Sequence, residues 1–210
     1  MRSYIIGIDL IRHPTRITLF GLGAAMLACG AALRGEWEVA LALLVVSGVA
    51  DLFDGWVARR TALTDDERRF GVQIDTVTDM AAFGVTPAII VISVAADWIP
   101  LAAAVTYAVC AAHRLAFFNL TTATISTGAI TTYWGLPVTY AALVFPVAFI
   151  PIAELQGTAY AVAVTLLTLA LAASFVLRIR IPKPAGLWYP GFAMLAVAVA
   201  GYWLAKGFIT

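Results

Sequence analysis

Apolar residues run along this chain in blocks of about twenty, each closed by a charge, a proline or a glycine. Seven blocks are readable: 16–34, 37–59, 70–95, 98–119, 134–152, 157–178 and 187–206. A helix of about 20 residues spans the roughly 30 Å hydrocarbon core of a bilayer, so each block predicts a membrane-spanning helix. The seventh carries Pro190 and Gly191 near its start, which leaves room for a shorter or re-entrant segment. Ahead of the first block, residues 1–15 carry Ile5, Ile6, Ile8, Leu10 and Ile11 and read as a short interfacial segment. Asp9 interrupts that stretch, so it lacks the pattern of a cleavable signal.

The polar connections carry the orientation. The sizeable linkers are 60–69, 120–133 and 179–186, the middle one built of small polar residues and read as a loop. With the N-terminus inside, eleven of the 13 Lys and Arg residues fall on the cytoplasmic side, leaving Arg34 and Lys206 outside. That bias follows the positive-inside rule and predicts a multi-pass protein of the cytoplasmic membrane. Arg178, Arg180 and Lys183 form a basic surface at the inner leaflet, suited to orientation and to contact with anionic lipid headgroups, with binding of a small-molecule acceptor as the alternative. Trp37, Trp98, Trp188, Tyr189 and Trp203 stand near block ends, where interfacial anchors belong.

Composition sharpens this picture. Of 210 residues, 62% are hydrophobic and 12% charged, about half the charged share of a soluble domain. An ordinary soluble enzyme and a disordered chain are both excluded. The net charge of +1 offers no basic surface for nucleic acid. Cys29 and Cys110 both sit inside apolar blocks and read as buried, unreactive thiols. No domain boundary and no internal repeat is evident, so the fold class is an all-α polytopic membrane helix bundle in a single membrane domain.

In so charge-poor a chain the intramembrane carboxylates stand out. Asp51 and Asp54 are three residues apart near the end of the second block, and Asp75 and Asp79 four apart near the start of the third. These spacings put each pair on one helix face, and both pairs lie at about the same depth. Four clustered carboxylates in a low dielectric need cations. Three sources are open: a hard divalent metal such as Mg²⁺, Mn²⁺ or Ca²⁺, salt bridges to Arg59, Arg60, Arg68 and Arg69, or a cation relay in a transporter. Gly55, Ala58 and Gly71 share the acidic faces and permit close approach of a backbone or a ligand. Arg59 either bridges to a phosphate or snorkels to the interface.

Together these residues read Asp51-x2-Asp54-Gly55-x2-Ala58-Arg59, then eleven residues, then Gly71-x3-Asp75-x3-Asp79. The stretch resembles the signature of the CDP-alcohol phosphatidyltransferase family, with all eight specified positions filled. The resemblance implies a six-helix membrane core over 16–178, with 187–206 as an extra C-terminal span. It implies a cytoplasm-facing polar cavity, a homodimer, and transfer of a phosphatidyl group from CDP-diacylglycerol to an alcohol with release of CMP. Asp51, Asp54, Asp75 and Asp79 would hold two divalent ions, Mg²⁺ or Mn²⁺. Gly55, Ala58, Arg59 and Gly71 would line the cleft for the CDP moiety, and Asp79 would be the general base, with a purely metal-ligating Asp79 as the alternative.

Further stretches resemble the phosphatidylserine synthase branch of that family: Asp75 to Ala88, His113-Arg114-Leu115-Ala116-Phe117-Phe118-Asn119, and Gly135-Leu136-Pro137. The chain departs from that pattern at Ala82 for serine, Phe117 for arginine and Thr139 for proline. L-serine is therefore the expected acceptor, with glycerol 3-phosphate, an inositol phosphate or an archaeal lipid donor as alternatives. A free amino acid needs a cation for its carboxylate, and Arg114 is the candidate. His113 reads as an interfacial residue, and Asn119 as an acceptor contact or a helix terminator.

Overall fold

The computed structural model describes residues 7–124, 132–182 and 188–209. Among the described residues eight α-helices follow one another: α1 (His13–Leu33), α2 (Trp37–Ala58), α3 (Asp65–Asp79), α4 (Thr86–Val94), α5 (Trp98–Thr124), α6 (Ala141–Ile152), α7 (Gly157–Val176) and α8 (Trp188–Ile209). A π-helical turn, Met80–Val85, joins α3 to α4, so that Asp65–Val94 is one 30-residue helical stretch. Among the described residues six stretches are long and apolar enough to cross a bilayer, and Val138–Ile152 adds a shorter apolar helix. The chain is a multi-pass membrane protein.

Helix α2 is the axis of the bundle, touching α1, α4, α6 and α8, while α5 packs between α4 and α7. Small residues set these distances. A Cβ on Gly48 would stand 2.4 Å from the Ala142 Cβ, so α2 and α6 meet nearly backbone to backbone. Between α1 and α2, Ser47 donates a 2.8 Å hydrogen bond to the Gly21 carbonyl. Lipid supplies no hydrophobic drive between helices, so close packing and such bonds carry the association. The core is filled by Ala25, Ala28, Leu41, Leu44, Phe83, Ile90, Phe145 and Phe149.

The π turn follows directly from Asp79. The Thr86 amide bonds the Ala81 carbonyl five residues back, and the Thr86 hydroxyl donates to the same oxygen at 3.0 Å. Pro87 has no N–H to offer the Phe83 carbonyl, and the buried Tyr107 hydroxyl supplies that donor instead at 2.7 Å. The wide turn lets the acidic segment and the core-packed segment of one span take separate helical phases.

Several expectations change. The third span starts inside the expected 60–69 linker, because Thr64 and Glu67 form a reciprocal capping box that nucleates α3 at Asp65. The expected 134–152 span is shorter: its first residues leave the helix to form a ribbon. Strand β1 (Thr132–Trp134) pairs antiparallel with β2 (Arg180–Pro182), Trp134 opposite Arg180, so the linker read as a loop is joined to the 179–186 linker by backbone pairing. Gly135 then turns the chain with φ +76°, its amide bonding the Ile179 carbonyl at 2.8 Å. The Leu136 amide satisfies the Ser174 carbonyl near the end of α7 at 2.9 Å. Asn119 is no helix terminator, since α5 continues to Thr124.

Trp203 is no interfacial anchor: it is fully buried and donates its indole N–H to the Pro146 carbonyl at 3.0 Å, pinning α8 to α6. Trp37 packs edge-on against it, while Trp98 is 84% exposed, as an anchor would be. Cys29 is buried beside the Thr86 hydroxyl and Cys110 is half-buried, both as free thiols. Residues 1–6, Lys183 and the side chains of Trp188 and Tyr189 lie outside the described residues.

Candidate active site

The acidic residues of α2 and α3 converge at one end of the bundle. Carboxylate oxygens of Asp51, Asp54 and Asp75 all lie within 4.8 Å of one another. Asp54 is 6% exposed, and the Thr18 hydroxyl on α1 donates to it at 2.5 Å. Asp79 stands on the same wall, its carboxyl group within hydrogen-bonding reach of Asp51, yet outside the tight triplet. Among the described residues, none of Arg59, Arg60, Arg68 and Arg69 makes an ion pair with these acids. The pairs present are Arg12–Glu67 at 2.6 Å and Lys206–Glu154 at 2.8 Å. Arg60 instead covers the Trp56 ring, 4.0 Å from its centroid. The salt-bridge reading of the cluster therefore falls.

The donor set is chemically suited to a hard cation: three carboxylates from two helices, close enough to share one ion. Among the described residues no ion pair joins these acids to the helix-end arginines, so a divalent cation is the charge that such a cluster lacks.

Two cavities meet at this cluster. One, of about 280 Å³, is lined by Asp51, Asp54, Asp75, Asp79 and Arg114, and is closed by Pro137 to Tyr140. The second, of about 250 Å³ between α1, α2 and α3, is lined by Gly55, Ala58, Arg59 and Gly71, with Asp54 and Asp75 on the common wall. Nothing lies within 4 Å of where a Gly71 Cβ would be, and only the tip of Arg59 is that near at Gly55. These glycines leave space in the cavity rather than room for a neighbouring helix. An apolar groove between α2, α6 and α8, lined by Val49, Leu143 and Ala196, runs up to Asp51 and Tyr140.

Arg114 is 5% exposed and reaches the first cavity from α5, its guanidinium 5.5 Å from the Phe118 ring centre. His113, its neighbour, is exposed and does not line that cavity. Asn119 donates to the Thr76 hydroxyl at 2.9 Å, tying α5 to α3 beside Asp75. One contributor is absent from the sequence reading: Thr18, whose signal was its place as the polar residue between Arg16 and Arg34 in an otherwise apolar block. Pro137 and Thr139 were singled out there only through a resemblance; the place of the 137–140 segment over the cavity depends on the ribbon that leads into it.

The fold and site define a helical membrane protein with a carboxylate cluster suited to a divalent cation, at the junction of two polar cavities. The CDP-alcohol phosphatidyltransferase family model matches residues 11–176; the chain belongs to that family. It is 34% identical over 115 residues to a CDP-diacylglycerol–serine O-phosphatidyltransferase of Mycobacterium tuberculosis, covering 54% of this chain and 39% of that protein. It is 30% identical over 137 residues to the archaetidylserine synthase of Methanothermobacter thermautotrophicus, covering 64% of this chain and 56% of that protein. A Bacillus subtilis CDP-diacylglycerol–serine O-phosphatidyltransferase is 29% identical over 133 residues, 62% of this chain and 71% of that protein. The match thus spans well under half of the mycobacterial relative.

Proposed function

We propose that this protein transfers a phosphatidyl group from CDP-diacylglycerol to L-serine, giving phosphatidylserine and CMP. The observation that carries the reading is the triplet Asp51, Asp54 and Asp75, whose oxygens lie within 4.8 Å of one another at the wall common to two cavities. Relatives named for the serine reaction and the His113–Asn119 stretch support serine as the acceptor.

The four aspartates hold two divalent ions, Mg²⁺ or Mn²⁺, which when bound neutralise the pyrophosphate and the charge that develops on it. Gly55, Ala58 and Gly71 leave the cleft for the CDP moiety, and Arg59 faces its phosphates. The apolar groove that ends at Asp51 takes an acyl chain of the donor. Asp79, outside the triplet, removes the proton from the acceptor hydroxyl. The freed oxygen attacks the β-phosphorus; its new P–O bond forms as the bond from that phosphorus to the bridging pyrophosphate oxygen breaks, and CMP leaves carrying the bridging oxygen. Arg114 holds the acceptor carboxylate at the same cavity. The same reading places the cavity on the inner face of the cytoplasmic membrane and makes a homodimer the working assembly.

The test is an acceptor panel. Purified protein receives CDP-diacylglycerol, Mg²⁺ or Mn²⁺, and serine, glycerol 3-phosphate, inositol or inositol 1-phosphate separately. CMP release that requires both serine and metal is the expected result. Release with another acceptor alone, or undiminished release in excess chelator, overturns the proposal.

A further inference from the structure

Three residues of α3 fall on one stripe at spacings of four and three: Gly71, Asp75 and Thr78. The first two line the cavity between α1, α2 and α3, and Thr78 follows Asp75 by one turn on the same face. Thr76 lies on the other flank of the acidic face, where Asn119 of α5 donates to it at 2.9 Å. Thr78 stands about 160° round the helix from Thr76, on the side where α3 packs against α1.

The hydroxyl of Thr78 differs from those of other threonines inside these helices. Thr76, Thr106, Thr165 and Thr168 each donate to the carbonyl four residues back, at 2.7 or 2.8 Å. That bond is the local way for a threonine within a helix to satisfy its hydroxyl. Thr78 is 5% exposed, yet its hydroxyl oxygen is buried with no hydrogen-bond partner in the protein. An unpaired buried hydroxyl is destabilising, and such a group in a folded protein calls for a functional partner, an ion or an ordered water. The neighbouring carboxylate shares this condition. Asp54 has the Thr18 hydroxyl, whereas among the described residues no side chain donates to Asp75.

We propose that Thr78 is a further member of the cation site, its hydroxyl accepting a hydrogen bond from the water shell of a divalent ion held by Asp75. The proposal rests on the divalent-ion reading of the four aspartates. Small divalent cations keep several waters when carboxylates bind them, and the ion makes the protons of those waters more acidic, so each is stabilised by an acceptor. A further carboxylate would supply the acceptor but add charge to an already acidic site. A hydroxyl accepts while remaining neutral, and its burial keeps bulk water from competing for the bond.

The experiment is metal binding by the purified full-length protein in the absence of both substrates. Mn²⁺ is titrated and the free ion measured by electron paramagnetic resonance, and thermal melting is followed with and without Mn²⁺. Thr78→Val keeps the shape and removes the hydroxyl. It raises the Mn²⁺ Kd about fivefold, the scale of one net hydrogen bond. The metal-free melting temperature stays at or above that of wild type, because an unpaired polar group gives way to a methyl. Thr78→Ala, which introduces no bulk, shows the same loss of affinity, and Thr78→Ser binds Mn²⁺ close to wild type. A Mn²⁺ Kd unmoved in both Thr78→Val and Thr78→Ala, or an equal loss in Thr78→Ser, overturns the role of Thr78 while Mn²⁺ binding by wild type leaves the divalent-ion reading standing. No Mn²⁺ binding by wild type contradicts that reading itself, and the role of Thr78 with it.

Discussion

The hydroxyl of Thr18, on the first helix, donates to the carboxylate of Asp54, on the second, at 2.5 Å in a buried setting. The same hydroxyl lies 3.2 Å from the Pro14 carbonyl one turn back. It therefore orients one oxygen of Asp54.

Removing that donor while keeping the shape tests its role. A hydrogen bond to a charged group contributes about 1.5–3 kcal/mol, so Thr18→Val lowers kcat/KM roughly tenfold to a hundredfold. It also raises the metal concentration needed for half-maximal rate, whereas Thr18→Ser stays near wild type. A metal titration of the three proteins decides the matter.

Asp75 joins the α3 acids to those of α2. Asp75→Asn abolishes CMP release yet preserves membrane insertion, detergent elution profile and melting temperature, because the loss is of a ligand charge and not of packing. Chelator gives wild type the same inactive phenotype, reversed by added Mg²⁺ or Mn²⁺.

At Gly71 the fold and the site make opposite demands. No atom lies within 4 Å of the position of a Cβ, and replacing a mid-helix glycine by alanine stabilises a helix by about 0.5–1 kcal/mol. Gly71→Ala therefore raises the melting temperature, and Gly71→Leu leaves the fold intact while raising the CDP-diacylglycerol KM by about tenfold or more. Thermal unfolding together with donor kinetics separates the two effects.

Arg114→Ala raises the serine KM far more than that of CDP-diacylglycerol, by about a hundredfold, the scale of truncating one partner of a buried charged pair. Equal rises for both substrates would assign Arg114 to the donor side instead.

Gly135 is a backbone requirement. With φ +76° and the Phe175 carbonyl 2.5 Å from where a Cβ would stand, Gly135→Ala strains the turn by about 1–3 kcal/mol. The melting temperature falls, and the cavity loses the register of its 137–140 lid, so the serine KM rises with it.

The apolar helices were legible because each demands its own run of apolar residues, a local property; the count was less so, since of seven expected spans six are long enough among the described residues and the fifth is the shorter Val138–Ile152. The carboxylate pairs were legible for the same reason: spacings of three and four make a helix face regardless of what the helix meets. Less legible were positions whose role comes from a distant partner. Trp203 reads as an anchor by its place near a block end, but the Pro146 carbonyl turns it inward. Thr64 and Glu67 do announce the early start of α3, through a local capping pattern inside a charged linker. The turn at Gly135 gives no such notice, since it follows from the pairing of residues 132–134 with 180–182.

By itself, then, the order of residues determined the membrane helices, the four acids and the small residues beside them, because periodicity and spacing act within one helix. Only tertiary structure decided that Thr18 serves Asp54, that Asp79 lies outside the tight triplet though within reach of Asp51, and that Arg114 reaches the acidic cavity from α5. Those relations depend on how close helices far apart in sequence can pack, and here Gly48 against Ala142 and a two-stranded ribbon set that distance.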